Sequence, residues 1–430
     1  MNVIEKVNIK GFWENKHVEL IFNENENFLI GVNGSGKTTI ISLISAVISG
    51  DFTTIDNIVF DSISIKLRNT KDKRIKPLIE VIKIKGSFTT RILFRVKETA
   101  GADYQEVYLV KSAESGRFRI LSRDTNLFSK NNLNEETFFN PKDKLHELIH
   151  TSWLSIQRYE FSNKTKNSKN MPLVDHKIGQ FKYNFLKYLS QLSLEENIAT
   201  NDFQNFIFMS LLNTSNSRIL IPSLEKINID TEKDALTEVF SLLEIASKNY
   251  TSSINNYFTA SQKAISNLKN NSLKIEDFEY LFGIQRIHQI VQKGNEFLAK
   301  RKEIYRYKEI FLSVINDLLE RKIIFINKDN ELKVKTQSGK ILPLSKLSSG
   351  EKQLLIILGE TLLQKSNTHI FIADEPELSL HVDWQEKLVD SLKSLNPNCQ
   401  IIFATHSPDI VSHYSESVIK IESCIKDNVQ

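Results

Sequence analysis

An α/β fold is what this chain predicts, and three observations carry the prediction. Phe28-Leu29-Ile30 runs into a glycine-rich turn and then into a helically spaced segment that stops at Gly50. Toward the other end, helix and strand patterns alternate in EKQLLIILGETLLQK, HIFIADE, DWQEKLVDSLKSL and QIIFATH. That order makes parallel strands with helical crossovers. Between the two lies a long stretch poor in Pro and Gly, with Leu, Ile and Phe at helical spacing.

Taken in order, VNIKGF and HVELIF read as strands, with polar turns around Glu14–Lys16 and Asn23–Asn27. After the first helix, Ile58–Arg68, Leu78–Ile84, Thr89–Val96 and Glu106–Lys111 are separated by Lys, Gly and Asn turns. They predict an antiparallel β meander. The polar run Lys164–Asn170 predicts an exposed loop. FKYNFLKYLSQL, ALTEVFSLLEIASKNY and RYKEIFLSVINDLLER predict helices, without a strict heptad pattern or an internal repeat. KIIFI, ELKVK and KILPL return to strand character. The expected organisation is one head built from residues 1–176 and 322–430, a mixed sheet plus the meander, with residues 177–321 as a helical insertion.

Length and composition set the limits. The 430 residues suffice for two or three domains, and 40% apolar with 25% charged residues is a globular balance. A net charge of +4 permits contact with nucleic acid without arguing for it, because a solvated lysine-rich surface looks the same. Two cysteines, Cys399 and Cys424, exclude a disulfide framework and any CxxC metal or redox motif. The N-terminus shows no signal peptide, and no run approaches the roughly 18 to 20 apolar residues needed to span a bilayer. A cytoplasmic setting is expected, with no membrane partner.

Gly31-Val32-Asn33-Gly34-Ser35-Gly36-Lys37-Thr38 follows the pattern G-x-x-x-x-G-K-[ST] between a strand and a helix. Glycines let backbone N–H groups wrap phosphates, and the helix N-terminus adds the positive end of its dipole. The candidate phosphate-binding residues are Asn33, Gly34, Ser35, Gly36, Lys37, Thr38 and Thr39, with the Thr38 hydroxyl on Mg²⁺. A glycine-rich turn with a stray lysine is the bland alternative, and the flanking strand and helix argue against it. Ile370–Ala373 is an apolar strand that ends in Asp374 and Glu375. Ligands of parallel sheets bind beyond the carboxyl ends of the strands. Asp374 is placed to hold Mg²⁺, while Glu375 points elsewhere and can polarise a water. Leu347-Ser348-Ser349-Gly350-Glu351 precedes a helix expected from Lys352 to Gln364. By itself it is an N-cap signal and an anion-binding corner.

The order phosphate loop, serine-glycine corner, Asp-Glu strand resembles that of an ABC-type P-loop ATPase. The resemblance implies ATP and Mg²⁺ as ligands. It also implies a head-to-tail dimer in which Ser348, Ser349, Gly350 and the adjoining Glu351 meet the γ-phosphate held by Lys37 of the opposite protomer. Transporters carry LSGGQ there; Ser349 and Glu351 depart from it, and the Glu is similar to the SMC, RecF and OLD branch. Glu375 would then activate water. His406, at the end of the strand Ile401–Ala404, would take the place of the family's switch histidine. Gln157 follows the meander where the family has its Q-loop, which touches Mg²⁺ and the attacking water; a surface polar role for Gln157 and Arg158 stands equally. Glu377–His381 resembles the EPE-x-x-LH segment of OLD-like ATPases, and Glu377 and His381 either communicate between two sites or cap the next helix. Phe12 and Trp13 either stack on adenine or belong to the core.

An ABC-type head with a mid-sized helical insertion, the EPELSLH segment and no Toprim nuclease domain resembles the ATPase subunits of anti-phage systems such as Septu and PARIS. Those assemble as oligomers, often hexamers, and control a separately encoded effector nuclease. A phage protein is the trigger that this resemblance implies. The alternative is a RecF- or SMC-like DNA-repair or clamp ATPase closing on duplex DNA. A nucleotide-gated scaffold with negligible turnover is a third reading, and a transporter ATPase fits least.

Overall fold

The computed structural model describes residues 2–85, 90–99, 101–111, 118–121, 140–155, 173–212, 228–242, 246–364 and 367–427. Gln157, Arg158 and the run Lys164–Asn170 lie outside these. The chain divides into two units, Met1–Phe185 with Ile310–Gln430, and Leu186–Glu309.

In the first unit, β1 (Asn2–Phe12) and β2 (Lys16–Ile21) form an antiparallel pair whose buried residues alternate, as in Val7, Ile9, Val18 and Leu20. β3 (Glu26–Ile30) leads through the glycine loop into the helix Lys37–Ser49, which Gly50 ends in the left-handed region at φ 67°. The meander follows as β4 (Ser62–Asn69), β5 (Leu78–Lys85), β6 (Thr90–Lys97), β7 (Gln105–Lys111) and β8 (Phe118–Leu121). The sequence placed a strand from Ile58; instead the helix Phe52–Asn57, capped by Asp51, occupies the approach, and the strand starts at Ser62.

The remaining strands are β9 (Thr151–Ser155), β10 (Lys322–Ile326), β11 (Leu332–Thr336), β12 (Ile341–Pro343), β13 (His369–Asp374), β14 (Cys399–Ala404), β15 (Val418–Lys420) and β16 (Ile425–Asp427). Among the described residues they form three sheets. An antiparallel sheet has the order β16-β2-β1-β4-β5-β6-β7-β8, a small one β10-β11-β12, and a parallel one β15-β3-β14-β13-β9. Ile40, Ile41, Leu43, Ile44 and Val47 of the first helix share one core with β1, β4–β7, β13 and β14. β14 is buried throughout, which explains the unbroken apolar run Ile401–Ala404. Its one polar member, Gln400, binds Ile4 N and O and Asn23 O at 2.7–2.8 Å and so ties the parallel sheet to the antiparallel one. The α/β class, the meander and the helical insertion all stand.

The second unit is helical. The helices Leu173–Leu212 and Ile275–Leu318 contribute residues to both units, and Ile229–Leu242 and Thr251–Lys269 lie within it. Its core joins Leu236, Ile254, Phe258, Leu281 and Ile284, with Phe203 stacked on Phe297 at 5.4 Å. The helical unit is shorter than the 177–321 insertion expected from sequence, because the outer turns of the long helices pack into the head. There Phe181, Phe185 and Phe311 cluster at ring distances of 5.6–6.2 Å. Phe181 also covers Gly359 so closely that a Cβ would lie 2.3 Å from its ring. Burying three phenylalanines outweighs any boundary in composition.

Candidate functional site

The parallel register decides what meets what. Asp374 pairs with Ala404, and Ala404 pairs with Leu29. The segments that follow β3, β13 and β14 therefore leave the sheet side by side at its carboxyl edge.

The loop after β3 turns through Gly34 at φ 82° and Gly36 at φ 94°. Gly36 is required twice over: its φ disfavours side chains, and a Cβ would meet Trp13 Cη2 at 2.9 Å. It is also the N-cap of the helix Lys37–Ser49, with no side-chain cap and no acidic residue in the first turn. The first N–H groups of that helix are thus left for a ligand. The Ser35 hydroxyl is buried without a partner. An orphaned hydroxyl in a glycine cradle fits a phosphate group. Lys37 is buried, and its Nζ donates to Gly31 O at 2.8 Å and Val32 O at 3.2 Å. Burial lowers its pKa, against the charges of Glu422, Glu375 and Asp374. Asn33, Gly34 and Thr38 are exposed, and Thr39 is half-buried.

Thr38 Oγ1 donates to Asp374 Oδ1 at 3.1 Å. A hydroxyl and a carboxylate in contact are a donor set that suits Mg²⁺. Burial pushes the Asp374 carboxyl up to about 6; the Thr38 bond and Lys37 pull it down, and Glu375 and Glu377 push it further up. Glu375 takes a left-handed φ of 49°, and its N–H donates to Ala404 O at 2.8 Å. That turn separates the two adjacent carboxylates. His406 lies exposed just past β14. Glu377, which sequence left between two roles, does not cap the following helix. Its Oε1 accepts from Thr405 Oγ1 at 2.7 Å and from His406 N at 2.8 Å. The helix Val382–Leu395 has His381 at its N-cap, without a side-chain bond to the helix N–H groups. Phe12 is core, whereas Trp13 is 40% exposed beside Gly36.

The serine-glycine corner is shaped by a capping box. The Ser348 hydroxyl accepts from Glu351 N at 3.3 Å, and Glu351 Oε2 accepts from Ser348 N at 2.7 Å. The helix accordingly begins at Ser349 and not at Lys352 as expected, because the cap lies three residues earlier. The Glu351 carboxylate is also bound by Lys322 Nζ at 2.8 Å, so it serves the cap and an ion pair. Ser348 and Ser349 are exposed, while Gly350 is buried. A Cβ on Gly350 would sit 2.2 Å from Ser379 O. Among the described residues no hydrogen bond joins this corner to the phosphate loop of the same chain.

Sequence reasoning missed Glu422. Its Oε1 accepts from Val32 N at 2.7 Å, and a Cβ on Gly31 would lie 2.6 Å from it. A single glutamate near the end of the chain, in no motif, carries no signal that would have found it.

With strand ends in this arrangement, the head is built as a P-loop ATPase head, the phosphate loop and the Asp-Glu strand meeting at the carboxyl edge of a parallel sheet. A family model for the AAA ATPase domain matches residues 3–411, and the chain belongs to that family. It is similar to the retron Vc95 probable ATPase of Vibrio cholerae serotype O1 biovar El Tor, with 28% identity over 179 residues, 35% of this chain and 34% of that protein. Against the retron Ec83 probable ATPase of Escherichia coli it shows 34% identity over 80 residues, 16% of this chain and 15% of that one. Against the DNA double-strand break repair Rad50 ATPase of Saccharolobus solfataricus it shows 36% over 98 residues, 21% and 11%. The chain thus spans about a third of the length of the Vc95 ATPase and less of the others. Among solved structures, the Smc head domain of Pyrococcus furiosus bound to the C-terminal domain of ScpA has a TM-score of 0.42 and 15% identity, over 96% of this chain and 92% of that one. No helix among the described residues is long and apolar enough to cross a membrane.

Proposed function

We propose that this chain is the ATP-binding and hydrolysing switch subunit of a bacterial anti-phage defence complex, pairing head to tail around ATP and controlling a separately encoded effector nuclease. The observation that carries the reading is the bond between Thr38 and Asp374, with Lys37 and Glu375 beside it. Among the described residues no hydrogen bond joins the corner Ser348–Gly350 to Thr38 or Lys37, and its serines are exposed. A second copy would supply it, which makes nucleotide the bridge between two heads. The two retron-named relatives support the defence setting.

In this reading the phosphate loop holds the triphosphate through its N–H groups, and Lys37 exchanges the carbonyls of Gly31 and Val32 for phosphate oxygens. Mg²⁺ held by Thr38 and Asp374 supplies charge neutralisation at those oxygens. Glu375 takes the proton of the attacking water, and His406 contacts the γ-phosphate side. Loss of that phosphate removes contacts made only in the paired state, so the pair loosens.

Replacing Glu375 by Gln tests this. Phosphate release is expected to fall about 100-fold or more, and ATP is expected to shift the Glu375→Gln protein to twice its mass in light scattering. Equal rates remove Glu375 as the base; an unchanged mass at saturating ATP ends the pairing model. The Rad50 relative favours a second reading, a DNA clamp, for which duplex binding would strengthen with ATP and weaken with salt.

A further inference from the structure

We infer that Glu377 is a positioning residue that locks the His406 loop onto the Glu375 turn through the two hydrogen bonds its Oε1 accepts. The inference rests on the proposed roles of Glu375 and His406 in ATP turnover.

β14 ends at Ala404, Thr405 N still donates to Leu29 O of β3 at 3.2 Å, and His406 and Ser407 leave the sheet beside the turn that follows β13. The backbone that carries His406 needs an anchor outside the strand ladder. Glu377 provides it: Oε1 binds both the Thr405 hydroxyl and the His406 N–H. The neighbouring bonds close the arrangement. Glu375 N donates to Ala404 O at 2.8 Å, Ser407 N donates to Thr405 Oγ1 at 2.9 Å, and the Ser407 hydroxyl donates to Gln385 Oε1 at 2.7 Å. From the other side, Gln353 Nε2 donates to Pro376 O at 3.0 Å and Leu380 N to Glu377 O at 2.9 Å. The turn that presents Glu375 and the loop that presents His406 are therefore one hydrogen-bonded body.

Glu377 is only 9% exposed, too enclosed in its own chain to reach a second copy. Its Oε2 is buried with no partner. Burying an unpaired carboxylate oxygen opposes folding, so stability alone does not account for a glutamate here. What the residue contributes is the double acceptor at Oε1.

The test is steady-state ATP hydrolysis by the full chain and its variants. Glu377→Ala is expected to lower kcat about 10- to 100-fold with KM for ATP little changed, the effect of misplacing a catalytic group. Glu377→Gln is expected to recover most of the loss, because its amide oxygen can accept the same two bonds. In a His406→Ala background, Glu377→Ala is expected to cost nothing more. Thr405→Val removes one donor to Glu377, and the acceptor of Ser407 N, without emptying the buried site, and is expected to lower kcat in the same direction should Glu377→Ala fail to fold. The inference is overturned if Gln is as slow as Ala, if the two losses multiply, if the loss lies in KM, or if Thr405→Val runs at full speed. A His406→Ala protein with unchanged kcat overturns the underlying reading as well. A slow His406→Ala protein beside a full-speed Glu377→Ala protein overturns this inference alone.

Discussion

Thr38 Oγ1 donates to Asp374 Oδ1 at 3.1 Å, joining the start of the first helix to the end of β13 across almost the whole chain. The contact brings a carboxylate into a half-buried place where it ionises reluctantly.

That reluctance predicts a trade of stability against function. Asp374 is raised from 3.8 to about 6, so the nucleotide-free fold favours its protonated form. The stability this gives is full below the unfolded pKa and is lost as pH rises through about 6. In EDTA at pH 7, Asp374→Asn should therefore melt higher than wild type, by about 1 kcal/mol after allowing for partial exposure. The difference should vanish near pH 4, and the same variant should lose ATP turnover. Thermal melts from pH 4 to 8 check this; a lower melting point for Asp374→Asn at pH 7 refutes it.

Glu422 stands against the phosphate loop and is the foremost of the charges that support Lys37. Glu422→Gln keeps an acceptor for Val32 N–H and removes a negative charge that repels a triphosphate. ATP affinity should rise about 3-fold at low salt, with the gain shrinking as salt is added. Titration calorimetry at two ionic strengths measures it. Weaker binding would mean that the carboxylate matters as a brace and not as a charge.

Gly350 has Ser379 O where its Cβ would be, at 2.2 Å. Backbone cannot yield as a side-chain tip can. Gly350→Ala should push the serine corner away from the Ser379 turn and abolish ATP-dependent pairing. Nucleotide binding by a single head should survive, since Lys37 and Thr38 are on another element. Fluorescent-nucleotide binding run alongside light scattering separates the two effects.

Gln400 is fully buried and makes its bonds to Ile4 and Asn23 near the start of an otherwise apolar strand. Gln400→Leu would restore the pattern of β14 yet take the Gln400 partner from Ile4 N–H and C=O, while Asn23 O keeps Asn27 Nδ2 at 3.0 Å. The expected loss is about 2 to 4 kcal/mol in urea unfolding, and a stabilised variant would show that packing outweighs those bonds.

The turn of the phosphate loop and the end of the Asp-Glu strand were legible because both motifs are tied to local backbone geometry. Glycines fall where φ is positive, and the carboxylates fall where an apolar run stops. The start of the 349–363 helix was misplaced by three residues: the N-cap signal at Ser348–Gly350 was read, but the helix was placed from Lys352, whereas the capping box of Ser348 and Glu351 starts it at Ser349. Gln157 lies outside the described residues.

By itself the sequence determined most of the strands, the main helices and the order of the motifs, all consequences of short-range periodicity and turn chemistry; the short strands β8, β9, β15 and β16 came from the structure. Only the tertiary structure decided that Glu377 holds the His406 backbone, that Glu422 braces Val32, and that Phe181 and Phe311 draw the ends of the long helices into the head. Those are contacts between residues far apart in the chain. They depend on strand register and shape, which no local pattern records.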